Sequence, residues 1–194
     1  IRKGDRIISK VKSKYWKRTH KYGIRVPKTI QEALRFDEED GTTCWRDAVD
    51  KEMKNVRVAF EFNDKDEIPV AHAEVRCHWI FDIKMATLQR KARLVANGNE
   101  TETPKDITFS SVVSRDSVRL FFLLAELNDV EILSCDIQNA YLTAQTKEKL
   151  WTRVDAAFGS DKGRPAKIVR ALYGLKASGA CFRAHLANNL RIMG

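Results

Sequence analysis

Three short segments carry side chains whose types and spacing suit phosphate and metal chemistry. The apolar run Val130-Glu-Ile-Leu-Ser-Cys135 ends in a lone carboxylate, Asp136. If that run is a buried strand, Asp136 stands at a sheet edge facing a cleft. With a further oxygen donor it can hold Mg2+, which takes one or two carboxylates together with substrate phosphates. The same spacing suits an Asp that caps the helix after it. In Arg90-Lys-Ala-Arg-Leu-Val-Ala96 a strand period of two puts Lys91 and Arg93 on one face, where two cations can clamp a triphosphate. The polar face of a surface hairpin has the same pattern. Leu172-Tyr-Gly-Leu-Lys-Ala-Ser178 leaves a strand and enters a helix. Gly174 would let backbone approach a ligand closely, and a helix N-terminus attracts anions. A plain strand–turn–helix junction accounts for these residues as well.

The elements that must position these residues follow from hydrophobic spacing. Trp45, Ala48, Val49, Glu52, Met53 and Val56 recur at helical intervals after Thr42-Thr43, which predicts an amphipathic helix to about Arg57. Val58–Phe62 predicts a short strand. Ala73–Met85 and Lys91–Ala96 predict a β-hairpin turning at Ala86–Gln89, with Asn97-Gly98 closing it. Ser117–Leu127 is apolar nearly all round, which predicts a buried helix. Val130–Cys135 predicts a buried strand, Ile137–Ala144 a turn or short helix, and Leu150–Val154 and Lys167–Leu172 two more strands. Cys181, Phe182, His185, Leu186, Asn189, Leu190 and Met193 outline a last helix. Elements in this order predict an α+β domain on a largely antiparallel sheet.

Residues 1–41 read as a linker, basic and then acidic, with at most one short helix near Thr29–Phe36; residues 42–194 form the domain. The chain has 194 residues and a net charge of +9 from 35 Lys+Arg against 26 Asp+Glu. Residues 1–28 hold eleven Lys/Arg and one Asp, so most of that charge is local to them. A basic arm of this kind, with Lys10, Lys12, Lys14, Lys17 and Arg18, reads as a nucleic-acid tether or as a solvated linker. Apolar residues make up 43%, too many for a disordered chain, while the longest apolar run, Leu120–Ala125, is far too short to span a bilayer. Ile1-Arg-Lys-Gly-Asp-Arg6 has no signal-peptide pattern, and the chain reads as an excerpt of a longer one from an intracellular, cytoplasmic or nuclear setting, neither secreted nor membrane-bound. Cys44, Cys77, Cys135 and Cys181 are too dispersed for a zinc site or a disulfide framework.

Taken in order, the segments resemble the reverse transcriptase domain of Copia-type LTR retrotransposons. Trp45-Arg-Asp-Ala-Val-Asp-Lys-Glu52 resembles its W-x-x-A-x-x-x-E opening, and Trp79-Ile-Phe-Asp-Ile-Lys84 its W-V-[FY]-x-[IV]-K strand. Arg90–Ala96 matches K-A-R-L-V-A nearly letter for letter. Phe109-Ser-Ser-Val-Val-Ser114 resembles F-S-P-V-V, and Ser117-Val-Arg119 resembles S-[IV]-R. Asp136-Ile-Gln-Asn-Ala-Tyr-Leu142 resembles D-V-x-x-A-[FY]-L, and Ala171-Leu-Tyr-Gly-Leu-Lys176 matches L-Y-G-L-K. Seven ordered motifs argue against chance.

The resemblance implies fingers and the first part of a palm, and it assigns roles. Asp136 would be the first catalytic carboxylate, bridging Mg2+ ions with the backbone carbonyl of Ile137 as a further ligand. Tyr141 would lie beneath the incoming sugar and collide with a ribose 2′-hydroxyl. Lys91 and Arg93 would face the triphosphate, Gly174 and Lys176 would sit where templating base and nucleotide meet the palm, and Arg90 would contact nucleic acid. The partners implied are an RNA or DNA template-primer, deoxynucleoside triphosphates and the rest of a polyprotein: integrase upstream, remaining palm and RNase H downstream. The family's aromatic-x-Asp-Asp turn is expected after the last helix and does not occur before Gly194, so the expectation is an incomplete palm and an isolated chain without polymerase activity. Ser111, Gly98-Asn99 and Ala177-Ser-Gly-Ala180 depart from the family pattern without removing a proposed ligand. The competing reading is a non-catalytic nucleic-acid-binding remnant of a decayed or repurposed element.

Overall fold

The computed structural model of the protein describes residues 19–63, 67–104 and 108–193. Lys10, Lys12, Lys14, Lys17 and Arg18 lie outside the described residues.

Residues 19–41 carry more regular structure than the linker reading allows. Strands β1 (His20–Lys21) and β2 (Ile24–Arg25) pair antiparallel about Tyr22-Gly23, both at positive φ. Helix α1 (Ile30–Asp40) runs past Phe36 to Gly41, whose φ of 64° ends it. Thr29 accepts from Glu32 N–H at 3.1 Å while Glu32 accepts from Lys28 N–H at 2.7 Å, a reciprocal cap. The reason for the added order is burial: Ala33, Phe36 and Asp37 are enclosed, and the Arg25 guanidinium lies 4.2 Å from the Phe36 ring.

Helix α2 (Cys44–Val56) buries Trp45, Val49, Met53 and Val56, the face its spacing predicts. Its N-terminus is held differently from expectation. Thr43 makes no side-chain cap; the buried Asp37 carboxylate reaches across from α1, accepting from the backbone N–H groups of Trp45 (3.0 Å) and Arg46 (2.8 Å) and from the Thr42 hydroxyl (3.1 Å). A single 3-10 turn (Arg57–Ala59) then delays the strand β3 (Phe60–Phe62) by two residues.

The segment expected as one strand over Ala73–Met85 splits into β4 (Ala73–Glu74) and β5 (Cys77–Ile83). Val75 N–H donates to Trp151 and Arg76 C=O accepts from Asn97, so the chain changes partners there. β5 pairs antiparallel with β6 (Arg90–Ala96), from Cys77↔Ala96 to Ile83↔Arg90. Period two sends Trp79, Phe81 and Ile83 of β5 and Ala92, Leu94 and Ala96 of β6 into the core, where Trp45 meets Phe81 edge-on at 5.6 Å. A second sheet has the order β3-β8-β7-β4, formed with β7 (Gln145–Arg153) and β8 (Pro165–Arg170). β3–β8 and β7–β8 are antiparallel and β4–β7 is parallel, so the α+β class and the mostly antiparallel sheets agree with expectation.

Two expectations are corrected around the third helix, α3 (Arg115–Leu127). It forms, capped by Ser114, but only Ala125 is buried; Leu120, Phe121 and Leu124 are about half exposed. Val130–Cys135 is irregular and exposed, Leu133 at 92%, rather than a buried strand. An apolar helix and an apolar segment are buried only where other elements cover them, and among the described residues they cover little but each other: Val118, Phe121, Ile132 and Leu133 share one shallow cavity. A short helix α4 (Ala140–Thr143) and the last helix α5 (Ser178–Met193) complete the described chain. All four cysteines are free thiols, and no described helix is long and apolar enough to cross a membrane.

Candidate active site

The solvent face of the β5–β6 hairpin carries Lys91 and Arg93, with Asp82 and Ile80 opposite them on β5. Asp82 is bonded by Lys21 of β1. Burial, together with the like charges Arg93 and Lys84, holds the Lys91 ammonium below the usual lysine range, while Glu52 and Asp82 act in the other direction. Arg90 belongs to the opposite face. Its guanidinium lies 6.0 Å from the Trp45 ring, Nη1 donates to Leu88 C=O at 3.2 Å, and Nε is buried without a partner. The structure therefore separates Arg90 from Lys91 and Arg93.

Arg93 leads away from the hairpin. Its guanidinium lies 5.6 Å from the ring of Tyr173, which follows β8. The Tyr173 ring is 5.1 Å from that of Tyr141 on α4, and Tyr141 is 6.1 Å from Phe182 on α5. β6, α4, the segment after β8 and α5 thus meet through one cation and three rings, the cation placed as a guanidinium over an aromatic face. Burial pushes the Tyr173 hydroxyl up, and the negative or electron-rich groups Glu52, Tyr141 and Asp136 add to this against Arg93. Asp136 stands five residues ahead of Tyr141, on the segment that leads into α4. It is exposed, and its carboxylate takes no hydrogen bond or ion pair from any other described residue. Nor does it cap α4: Asn139 holds that position at φ 52°, with no side-chain cap bond.

Gly174 has φ 92°, and a Cβ there would stand 2.0 Å from the carbonyl oxygen of Ala96. The close backbone approach expected at Gly174 is an approach to β6, sealed by Ala96 N–H donating to Tyr173 C=O at 2.8 Å. Gly98 completes the seam, since a Cβ there would meet Gly174 O at 2.2 Å. Lys176 turns to the loop after Gly98, donating to Thr101 C=O and approaching Thr103 Oγ1 at 3.5 Å. A cavity of about 990 Å3 runs along α5 between Glu74, Thr101, Lys149 and Arg183 and is lined by none of Arg93, Tyr173, Tyr141 and Asp136.

Among the described residues no three His, Cys, Asp or Glu side chains gather as a metal cluster. Asp136 offers one oxygen-donor carboxylate with its lone pairs unengaged, and that fits an ion that takes a carboxylate or two and completes its shell with substrate phosphates and water. Glu52, Tyr173 and Phe182 were not singled out as site residues in the sequence. Tyr173 sits within the L-Y-G-L-K match and Glu52 ends the first motif, so both were visible as pattern without a role.

Residues 61–193 match the reverse transcriptase (RNA-dependent DNA polymerase) family. The chain is 28% identical over 160 residues to the retrovirus-related Pol polyprotein from transposon TNT 1-94 of Nicotiana tabacum, covering 78% of this chain and 12% of that protein. It is 30% identical over 176 residues to the transposon Ty1-DR4 Gag-Pol polyprotein of Saccharomyces cerevisiae, covering 81% of this chain and 10% of that one. The chain belongs to the reverse transcriptase family of Ty1/Copia-type Pol polyproteins. No solved structure matches it. Within this reverse transcriptase domain the matched span includes the cation hairpin, Asp136, Tyr141 and Tyr173, and leaves α1 and α2 ahead of it. The chain spans about a tenth of the length of these two relatives.

Proposed function

We propose that this chain is the fingers and first palm segment of an RNA-directed DNA polymerase, with β5–β6 as the fingers hairpin and β3, β7, β8, α4 and α5 as palm elements. The observation that carries the reading is the contact chain Arg93–Tyr173–Tyr141, with Asp136 five residues ahead of Tyr141. It joins a cationic strand to aromatic rings 48 and 80 residues further along the chain, the nearer of them five residues after a free carboxylate. In this reading Lys91 and Arg93 bind the triphosphate of an incoming deoxynucleotide. A lysine already disfavoured as a cation by burial and by Arg93 and Lys84 gains from an added polyanion. Tyr141, backed by Tyr173 and Phe182, excludes a ribose 2′-hydroxyl by bulk. Gly174 fixes the seam between hairpin and palm, and Lys176 holds the adjoining loop beside the nucleotide.

Asp136 and the Ile137 carbonyl would hold Mg2+, which when bound supplies charge neutralisation for the phosphates and lowers the pKa of a coordinated hydroxyl. Asp136 itself presents a carboxylate on the exposed segment that leads into α4 and Tyr141. Template and primer would be held by the basic arm (Lys10, Lys12, Lys14, Lys17, Arg18) and the hairpin, and the remainder of a Pol polyprotein would complete the enzyme. The test is primer extension by the polyprotein product that contains this segment. Asp136→Asn should abolish incorporation, by at least about a thousandfold. Arg93→Ala should raise KM for deoxynucleotides more than it lowers kcat. Incorporation by the Asp136→Asn enzyme at the parent rate would sink the reading.

A further inference from the structure

Glu52 is a half-buried carboxylate that the proposed chemistry leaves without a task. It sits on α2, on the side that faces β6, and its Oε1 accepts from the backbone N–H of Leu94 at 3.2 Å. Because β5–β6 is a two-stranded sheet, every second N–H of β6 points away from β5 and must find a partner elsewhere. Two of these partners are visible: Glu52 for Leu94, and the Tyr173 carbonyl for Ala96 at 2.8 Å. The Leu94 N–H belongs to the peptide unit that directly follows Arg93. Fixing that unit fixes the direction in which Arg93 leaves the strand and, two residues back on the same face, Lys91.

The carboxylate also acts through its charge. Arg93 and Lys91 both lie in its field, yet no ion pair within 4.0 Å closes between it and either cation. Burial disfavours the Glu52 anion, and the Leu94 N–H and the two cations favour it. Glu52 thus acts on the two cations through charge without occupying their donors.

We propose that Glu52 is the positioning residue of the cationic hairpin: it pins the outer edge of β6 at Leu94 and so sets where Lys91 and Arg93 project toward a triphosphate. The proposal rests on the reading of Lys91 and Arg93 as triphosphate ligands, and it goes beyond that reading by assigning a residue that touches neither phosphate nor metal.

The 194-residue chain is titrated with inorganic tripolyphosphate by calorimetry, and amide exchange is followed at Leu94 by NMR. Glu52→Gln keeps an oxygen that accepts from Leu94 and removes the negative charge. Leu94 should stay protected, and tripolyphosphate should bind tighter by on the order of threefold. Glu52→Ala removes the same charge and the acceptor as well. Leu94 should then exchange at least about tenfold faster, and binding should weaken several-fold although the site has become more positive. Should Glu52→Ala fail to fold, Glu52→Asp, which keeps the charge on a shorter arm, is expected to lose Leu94 protection and weaken binding in the same direction. Leu94 protection unchanged in the Ala or Asp variant overturns the proposal, as does equal tripolyphosphate affinity in the Gln and Ala variants. If the parent chain binds no tripolyphosphate, the triphosphate role of Lys91 and Arg93 fails, and the Leu94 exchange still decides whether Glu52 pins the strand.

Discussion

Gly174 shows how a residue type visible in the sequence acquires its reason only from its neighbours. A glycine in Leu-Tyr-Gly-Leu-Lys reads equally well as a place for a ligand or as a turn. In the fold its missing side chain admits the Ala96 carbonyl, and its φ of 92° is one that only glycine adopts without strain. Gly174→Ala should therefore cost about 3 kcal/mol or more in urea unfolding, from the clash and the backbone together. An unfolding midpoint equal to the parent's would show that the seam yields. Lys91 and Arg93 were legible at this scale because alternation fixes which side chains share a strand face. Arg90, adjacent in the same basic run and expected at nucleic acid, is sent by the same period to the other face, against Trp45. Tyr173 and Glu52 had no legible role, since each takes its meaning from a partner at least thirty residues away.

At the scale of elements, α2 and the β5–β6 hairpin were readable because each repeats apolar residues at its own period over a full face. Helix α1 was read too short, since its acidic end, Asp37–Asp40, looks like a solvated run. One member of that run, Asp37, is instead buried as the cap of the next helix. Asp37→Ala should leave the Trp45 and Arg46 N–H groups and the Thr42 hydroxyl without their acceptor and cost about 2–3 kcal/mol of stability. Thr43→Ala, at the position first expected to cap, should change stability by less than about 0.5 kcal/mol. Chemical unfolding of the two variants separates them, and the reverse order would contradict the cap. The Val130–Cys135 strand was misread for a related reason. An apolar run is a strand only if another strand has a free edge to receive it, and composition cannot report that edge.

At the scale of the whole molecule, the described residues form one continuous core that joins α1, α2, the β5–β6 hairpin and the four-stranded sheet, while α3 and the segment after it stand outside that core. Leu124→Glu should therefore change the stability of this chain by no more than about 0.5 kcal/mol, because Leu124 is already half exposed, and it should lower binding of a hydrophobic dye. A loss of several kcal/mol in thermal unfolding would show that the α3 face is covered.

The net charge of +9 belongs to this scale too, with the first 28 residues carrying more than all of it. By itself the sequence determined the family, the α+β class, the amphipathic elements and the shared face of Lys91 and Arg93, because motifs and periodicity are local in the chain. Only the tertiary structure decided that Asp37 caps a helix it does not belong to, that Gly174 seats against Ala96, that α3 is exposed, and that Arg93 reaches Tyr141 through Tyr173. Each of these depends on which surfaces meet after the chain has folded, and no interval along the sequence encodes that distance.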